Sequence, residues 1–355
     1  MKPPVFSLKN APLSAAWRTS QRRLGVLGAS LLLLLSACVS SQPTAPTVIS
    51  PKTVQAKATS QALLNQYEVS IFQAQGYGLD LTPYQQQLKK DRKNFQRAQT
   101  EKAYKNLAAT LQAQVSTLQH IAIVTKTRYH LQQLQLLINQ TDSNNDYEYI
   151  NADDAYLQEQ ARFEKAVTID DYQKIDTQAQ VLVTNLTALL ANLNDQTPHD
   201  QPHAADLQLI QTYRLTGKVI IVSLTEQTLR MYENGLLAGW MYVVTGQRAA
   251  QTPPGLWHVM SRQTHIVFKS SEPPGSPLWY PPTPINYAMA YHTGGYYLHD
   301  ATWRSYFGPG ANLPHHDYTS GKYSLNGTHG CINMTLRNTI TLYDWARVGI
   351  PVIVY

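Results

Sequence analysis

Cysteine and charge are both scarce in this sequence. Only two of the 355 residues are cysteine, and charged residues make up 15% of the chain against 43% hydrophobic residues. A chain with this balance can bury a core, so broad disorder is excluded. Five bases and no acid fall in residues 1–37, which leaves 24 bases and 23 acids for the rest. The basic excess belongs to the amino terminus, and no nucleic-acid partner is predicted.

The amino terminus also lacks an apolar run long enough for a transmembrane helix. The run before Cys38 has 14 residues, whereas a membrane span needs ~20. Its length is typical of a secretory signal, and its last residues, Leu35-Ser36-Ala37-Cys38, resemble the bacterial lipoprotein signal. That resemblance implies an exported, membrane-anchored lipoprotein with a signal peptide at 1–37, lipid on Cys38 and a flexible linker at 38–53. The alternative is an ordinary signal peptide or an uncleaved anchor, in which Cys38 has no role.

A lipid on Cys38 would leave Cys331 as the one free thiol of an exported protein. An unpaired thiol in an oxidising compartment indicates a reactive residue. Seven of the 11 histidines lie between His258 and His329. This part of the chain is therefore expected to carry the chemistry.

Residues 53–193 contain almost no helix-breaking residues, since proline occurs only at position 83 and glycine only at positions 76 and 78. Apolar residues recur there at helical spacing. Thr82-Pro83 and the stretch from Thr168 to Asp171 predict helix starts. His120 and His130 have no acidic or cysteine partner at metal-ligand spacing, so no metal site is expected.

The same region carries a weak internal repeat. Seven residues are identical to those 68 positions further on, beginning with Phe95 and Phe163. Two copies of a helical hairpin, packed as a bundle or a long coiled hairpin, would explain this pattern. We therefore expect a helical repeat domain at 54–193, which serves as a spacer or binds a protein partner, and a linker at 194–216.

After Gly217 the sequence changes to short β-branched and aromatic runs, which predict strands. Asn234-Gly235 lies between two of these runs and predicts a tight hairpin. A helix is predicted to begin near Thr335 and to end at Arg347. The fold class is thus α+β and multidomain, with an all-α helical bundle or coiled hairpins followed by a β-rich catalytic domain at 217–355.

The segment Thr328-His329-Gly330-Cys331-Ile332-Asn333 has the composition of a thiol active site. A thiol needs an imidazole nearby to react as thiolate, and a glycine beside it lets backbone N–H groups face a developing oxyanion. His329 is only two residues from Cys331 and suits shaping of the loop. His299, at the end of a predicted strand, is the better base, with Asp300 or a backbone carbonyl to orient its ring.

Residues 328–333, together with the upstream stretch from Leu298 to Trp303, resemble the L,D-transpeptidase catalytic domain of the YkuD type. The resemblance covers about 140 residues, from Gly217 to Tyr355, and includes Thr245-Gly246 and Thr252-Pro253-Pro254-Gly255. In one departure, 28 residues separate His299 from Thr328, about twice the usual family spacing. The resulting inserted loop at 306–323 contains His315-His316-Asp317, which we interpret as a solvated loop rather than a metal site.

The resemblance implies an enzyme that acts on peptidoglycan stem peptides and needs no metal or organic cofactor. Cys331 would attack a tetrapeptide stem, release D-Ala and form a thioester, which an acceptor amine deprotonated by His299 resolves to a 3→3 crosslink. Backbone N–H groups around His329 and Gly330 would hold the oxyanion. Residues expected to bind substrate are Tyr297, Trp303, Thr328 and Asn333, although Trp303 equally fits packing under loops. The alternatives are an L,D-carboxypeptidase that transfers the thioester to water, and a non-catalytic, lipid-tethered wall-binding scaffold.

Overall fold

The computed structural model describes residues 49–142, 152–316 and 326–355. The predicted signal peptide, Cys38 and the part of the inserted loop at 317–323 lie outside the described residues. Residues Ser50–Tyr355 cluster as one unit. None of the helices in the described ranges combines the length and the apolar character needed to cross a membrane.

The helices occupy the first half of this unit and the strands the second half. The helices before the strands are α1 (Pro51–Gln73), α2 (Thr82–Arg97), α3 (Glu101–Asp142), α4 (Ala152–Lys165), α5 (Ile169–Asn192) and α6 (Ala204–Thr212). The strands are β1 (Lys218–Ser223), β2 (Thr228–Glu233), β3 (Leu236–Tyr242), β4 (Gly255–His258), β5 (Ser261–Phe268), β6 (Thr283–His292), β7 (Tyr296–Asp300), β8 (Ile332–Met334) and β9 (Pro351–Val354), with α7 (Leu336–Trp345) between the last two. The predicted fold class, helical first and β-rich afterwards, is confirmed.

The two predicted helix starts differ in outcome. Thr168 caps α5 as expected: its hydroxyl accepts from the Asp171 N–H at 3.2 Å, and the Asp171 carboxylate accepts from the Thr168 N–H at 2.9 Å. Thr82 is not a cap, because it is already the first helical residue. The Asp80 carboxylate accepts its backbone N–H at 2.9 Å instead, and a carboxylate is a strong partner at a helix start.

The sequence repeat corresponds to a structural repeat of three helices rather than of a hairpin. The first copy consists of α1, α2 and the first half of α3, and the second copy of the rest of α3, α4 and α5. Each copy holds a tyrosine whose ring meets a phenylalanine edge-on and whose hydroxyl donates to a backbone carbonyl. These contacts are Tyr104 to Phe95 at 5.6 Å and to the Ala98 oxygen at 2.7 Å, and Tyr172 to Phe163 at 5.4 Å and to the Ala166 oxygen at 2.9 Å. A hairpin is too small a unit because the 42 residues of α3 serve both copies.

The predicted linker at 194–216 is wrong where α6 forms. Helix α6 packs with α5 against the sheet, and the buried side chains of Leu189 and Leu209 share one core with Ile221 and Ile353. Pro198 and Pro202 therefore interrupt the chain without separating two bodies. The predicted linker at 38–53 likewise overlaps α1, which begins at Pro51.

A buried ion pair joins α6 to the sheet. The Asp206 carboxylate accepts from Arg230 Nε at 2.5 Å and from the hydroxyls of Tyr232 and Tyr355 at 2.8 and 2.7 Å. Asp206 and Arg230 are both almost fully buried. Removal of either partner would leave an uncompensated charge, which typically costs about 3–5 kcal/mol.

Two sheets face each other across the core of the β-rich part. Their strand orders are β3-β2-β1-β9-β4 and β5-β6-β7-β8. The β2–β3 turn holds Asn234 and Gly235 at φ 53° and 79°, the positive values that a tight hairpin needs. Strand β8 pairs in parallel with β7, so that Leu298 faces Ile332 and His299 faces Asn333. This pairing brings the segment after Cys331 beside the strand of His299.

Candidate active site

Cys331 ends a tight loop that leads directly into β8. The Thr328 hydroxyl donates to the Cys331 carbonyl oxygen at 2.5 Å and accepts from the Gly330 N–H at 3.0 Å. Thr328 is buried, and both of these bonds lie within the loop. The expected substrate-binding residue Thr328 therefore shapes the loop that presents the thiol.

Residues 245–252 support this loop from the outside. The Thr252 hydroxyl donates to the Gly330 carbonyl oxygen at 2.9 Å and accepts from the Gly246 N–H at 2.8 Å. The Thr328 N–H donates to the Thr245 carbonyl oxygen at 2.8 Å. Two chain segments that are ~80 residues apart in sequence are thus fixed to each other by the Thr252 hydroxyl and by a backbone hydrogen bond.

Gly330 is required by its conformation and by its surroundings. Its φ is +101°, and a Cβ atom there would lie 2.4 Å from a ring carbon of Tyr296. Because the Gly330 carbonyl is held by Thr252, the N–H of Cys331, on the opposite side of the same planar peptide, points away from that bond. This N–H is a fixed donor beside the thiol.

His299 is oriented by a backbone carbonyl. Its Nδ1 lies 2.9 Å from the Asp300 carbonyl oxygen, which can only accept, so Nδ1 carries the proton and Nε2 is left as an acceptor. Rings of Phe268 and Trp303 lie 5.0 and 6.2 Å away, centre to centre. Burial lowers the pKa of His299 to about 4, so the imidazole is neutral at neutral pH.

The Asp300 side chain has a different role from the one expected. Its carboxylate accepts from the Tyr287 N–H at 2.7 Å and from Asn286 Nδ2 at 2.8 Å. Successive side chains along β7 point to opposite faces of the sheet, so the Asp300 carboxylate and the His299 imidazole lie on different faces. Asp300 orients His299 through its carbonyl oxygen, and its carboxylate fixes β6 to β7.

The thiol is also uncharged in the resting site. Packing around Cys331 raises the pKa of its thiol to about 11, although the Tyr297 N–H acts in the opposite direction. The sulfur lies 3.8 Å from the Gly295 carbonyl oxygen. A neutral thiol and a neutral imidazole are therefore the forms present at neutral pH.

The remaining predicted residues, Tyr297, His329 and Trp303, each have an aromatic ring as a neighbour. The Tyr297 ring packs on Phe268 at 4.8 Å, and the His329 ring lies 5.1 Å from that of Tyr280. Partial burial, assisted by the charge of Arg304, lowers the pKa of His329. Trp303 is 36% exposed, and its ring is tilted by 35° to that of His299.

Asn333 lies opposite His299 in the strand pairing. Its backbone exchanges hydrogen bonds with Val244 at 2.8 and 2.9 Å. Its side-chain oxygen is buried and has no hydrogen-bond partner among the described residues. The expectation that Asn333 binds substrate stays a prediction.

Sequence reasoning did not identify two residues that organise the site. Arg304 donates from its two terminal nitrogens to the carbonyl oxygens of Asn326 and Gly327 at 2.8 and 3.1 Å, which fixes the entry to the thiol loop. Thr252 was noted only as part of a family landmark. Their partners are backbone carbonyls, which leave no signal in a single sequence.

His130 and His315 were both predicted not to bind a metal ion. His130 does have an acidic partner, Asp176, whose carboxylate lies 2.7 Å from its Nδ1, but the two residues are 46 positions apart, so spacing could not indicate it. His315 bonds its own loop, with Nδ1 at 2.7 Å from the Leu313 carbonyl oxygen. Across the described ranges, no group of three or more His, Cys, Asp or Glu residues is placed to hold a metal ion.

Residues 217–354 match the family model of the L,D-transpeptidase catalytic domain, YkuD. The chain is 28% identical over 160 residues to L,D-transpeptidase 1 of Mycobacterium tuberculosis, covering 44% of this chain and 57% of the relative. It is 26% identical over 145 residues to L,D-transpeptidase 2 of the same organism, covering 39% of this chain and 32% of that relative. The chain thus spans little more than half the length of the first relative. The solved catalytic domain of an Enterococcus faecium L,D-transpeptidase is 26% identical, with a TM-score of 0.32, covering 40% of this chain and 98% of that one.

Proposed function

We propose that this protein forms 3→3 peptidoglycan crosslinks through a thioester on Cys331, since residues 217–354 match the family model of the L,D-transpeptidase catalytic domain. The observation that carries the proposal is the orientation of His299, whose Nδ1 donates to the Asp300 carbonyl oxygen at 2.9 Å and leaves Nε2 free. The strand pairing of Leu298 with Ile332 brings this base beside the Cys331 loop.

In the first half-reaction, the donor is a stem tetrapeptide that ends in D-Ala after an L-centred diamino acid. The Cys331 sulfur attacks the carbonyl carbon of that diamino acid while its proton passes to Nε2 of His299. The tetrahedral intermediate expels D-Ala, whose leaving nitrogen takes the proton from His299. The products are free D-Ala and a thioester between Cys331 and the remaining tripeptide stem.

The developing oxyanion is held by backbone donors. The Gly330 carbonyl is bound by Thr252 at 2.9 Å, so the following N–H, that of Cys331, keeps a fixed direction beside the sulfur. Removal of one such donor in enzymes of this type typically slows the reaction by ~10²–10³-fold. The short loop and its Thr252 contact are therefore part of the catalytic machinery.

In the second half-reaction, the side-chain amine of an acceptor stem attacks the thioester. Neutral His299 takes a proton from this amine, the new amide bond forms, and the sulfur leaves and is reprotonated. With water in place of the amine, the same thioester yields a tripeptide, which is L,D-carboxypeptidase activity. Analysis of products from tetrapeptide stems, dimer against tripeptide, separates the two reactions.

We place the protein outside the cytoplasm, anchored through lipid on Cys38 after removal of residues 1–37. The apolar run is too short to anchor the chain stably by itself. A Cys38→Ala variant should be released from membranes or stay unprocessed. Unchanged membrane fractionation with normal maturation would rule out this anchoring.

The thioester proposal is tested by covalent acylation. Incubation with a carbapenem should add one equivalent to the intact mass of the protein, and peptide mapping should locate it at Cys331. Cys331→Ser should give no adduct and no turnover, because a hydroxyl has a far higher pKa than a thiol and His299 alone does not activate it. A scaffold without catalysis would give no adduct on the wild-type protein either.

A further inference from the structure

One end of the helical part gathers the start of α1, the end of α2 and the start of α3. Helices α1 and α3 run in the same direction, since the Ser60 hydroxyl donates to the Tyr104 carbonyl oxygen at 2.7 Å and Lys52 and Lys105 line the same surface depression. Helix α2 runs back beside them and ends four residues before α3 begins. We call residues 50–59 and 93–105 the basal end.

The basal end is strongly basic. It carries six bases and one acid. The bases are Lys52, Lys57, Lys93, Arg97, Lys102 and Lys105, and all of them are exposed. The acid, Glu101, pairs with Lys105 at 2.7 Å, and Lys105 and Lys52 contribute to the lowered pKa of its carboxyl. When this pair is set aside, the basal end keeps five bases that have no acid among its residues.

The internal repeat shows that this charge is not required by the fold. The corresponding positions in the second copy, residues 118–127 and 161–173, hold three bases and three acids. The two copies share the same helix arrangement and the same tyrosine–phenylalanine contact. The excess of positive charge is thus specific to the basal end, although the chain beyond residue 37 is almost neutral.

The catalytic domain lies at the other end of the long helix α3. Leu134 and Ile138 of α3 share a core with Ile221 and Ile353 of the sheet. Leu134 follows Glu101 by 33 residues, which corresponds to about 50 Å of helix. The basal end is therefore remote from Cys331 and serves some purpose other than catalysis.

We propose that the basal end docks on an anionic phospholipid surface and that α3 holds the catalytic domain away from that surface. Ser50 leaves the bundle at this end, and only eleven residues separate it from Cys38, a stretch that reaches about 40 Å at most. Each Lys or Arg near an anionic membrane strengthens binding by roughly fivefold. The inference rests on the proposed anchoring through Cys38 and goes beyond the crosslinking reaction.

The test uses the full chain reconstituted in vesicles of phosphatidylcholine alone or mixed with phosphatidylglycerol. Reaction of lysine amines with an acylating reagent is followed by peptide mass spectrometry. At low salt, Lys52, Lys57, Lys102 and Lys105 should react about fivefold more slowly in the phosphatidylglycerol vesicles. High salt should abolish this protection, and Lys165 and Lys174 of the second copy should react equally in both vesicles.

Charge variants distinguish docking of the basal end from other causes of slow lysine labelling. In Lys52→Gln with Lys102→Gln, the remaining Lys57 and Lys105 should lose most of their protection, whereas Lys165→Gln with Lys174→Gln, the matched pair, should keep it. Both variants should crosslink soluble stems at the wild-type rate, so failure of docking is distinct from failure of the transpeptidase. Equal labelling in both vesicle types overturns the proposal. Protection by purified soluble wall polymer but not by vesicles also overturns it and assigns the surface to that polymer.

Discussion

The Thr252 hydroxyl donates a hydrogen bond to the Gly330 carbonyl oxygen at 2.9 Å, across 78 residues of sequence. The Thr252 hydroxyl oxygen in turn accepts from the Gly246 N–H at 2.8 Å, so one side chain joins two backbone segments. It fixes the peptide that links Gly330 to Cys331. The direction of the Cys331 N–H, and with it the proposed oxyanion site, depends on this contact.

Thr252→Val should therefore slow acylation of Cys331 by about 10–100-fold, since the donor is displaced rather than deleted. Loss of the hydroxyl also leaves two buried backbone groups unpaired, at about 1–3 kcal/mol each. Thr252→Ser keeps the hydroxyl and should restore most of the rate. The measurement is the second-order rate constant for carbapenem acylation, beside the thermal midpoint.

Thr339→Val is the control for a purely structural effect. Its buried hydroxyl donates only to the Thr335 carbonyl oxygen, at 2.9 Å, within α7. This variant should lose stability but acylate at the wild-type rate. Equal loss of rate in Thr252→Val and Thr339→Val would remove the special role of Thr252.

The pH dependence of acylation should report the buried state of His299. Burial lowers the pKa of His299 to about 4, so the neutral base persists as the pH falls below 6. Since only the neutral imidazole accepts the thiol proton, the rate should hold to about pH 5 and decline below it. A midpoint near the ordinary histidine value of 6.5 would mean that His299 is not the base or is solvated during the reaction.

Asp300→Asn tests whether Asp300 acts on His299 through its backbone carbonyl oxygen or through its carboxylate. The orienting atom is the Asp300 carbonyl oxygen at 2.9 Å, and the substitution leaves it in place. The rate should change by less than about tenfold, whereas loss of a carboxylate that holds a catalytic imidazole costs ~10⁴-fold. Stability should fall by about 1–3 kcal/mol, because the carboxylate accepts from Asn286 and Tyr287 and an amide cannot satisfy both donors as well. Urea unfolding and acylation rates measure the two effects.

The helical and catalytic parts should unfold together, because they share a core. Leu189 of α5 is 1% exposed and belongs to the same cluster as Ile221 and Ile353. Leu189→Ala should cost about 2–5 kcal/mol and lower the midpoint of both parts equally. Circular dichroism follows the helices, and tryptophan fluorescence follows the catalytic part, which contains every tryptophan but Trp17.

Leu111→Ala supplies the comparison, since Leu111 is fully buried in the first helical copy, away from the sheet. In one cooperative unit it should shift both signals together. Two separate midpoints in either variant would show that the parts are independent.

The sequence predicted those features that arise from local pattern. The hairpin at Asn234-Gly235, the capping box at Thr168 and the succession of helices and strands follow from propensity and periodicity. Strand β8 was not predicted, because three residues are too few to show alternation. The proposed nucleophile and base were named through a family motif, and the parallel pairing of β7 with β8 brings their chain segments side by side.

Features that depend on distant contacts were beyond the sequence. The pairing of His130 with Asp176, the docking of α6 and the contact of Thr252 with Gly330 join residues 24 to 78 positions apart. In each case one partner is a common polar residue with no distinctive neighbours. The orienting role of the Asp300 carbonyl was one of two open choices, and only the hydrogen bonds of the carboxylate to β6 decide between them.

The central claim is that Cys331 and His299 transfer a stem peptide to an acceptor amine. The most direct measurement is product analysis by mass spectrometry after purified protein is incubated with disaccharide tetrapeptide stems. The account predicts free D-Ala and a 3→3 crosslinked dimer with the wild-type chain, and neither product with Cys331→Ser. Tripeptide without dimer would assign the protein to hydrolysis, and dimer formation by Cys331→Ser would contradict the thioester mechanism.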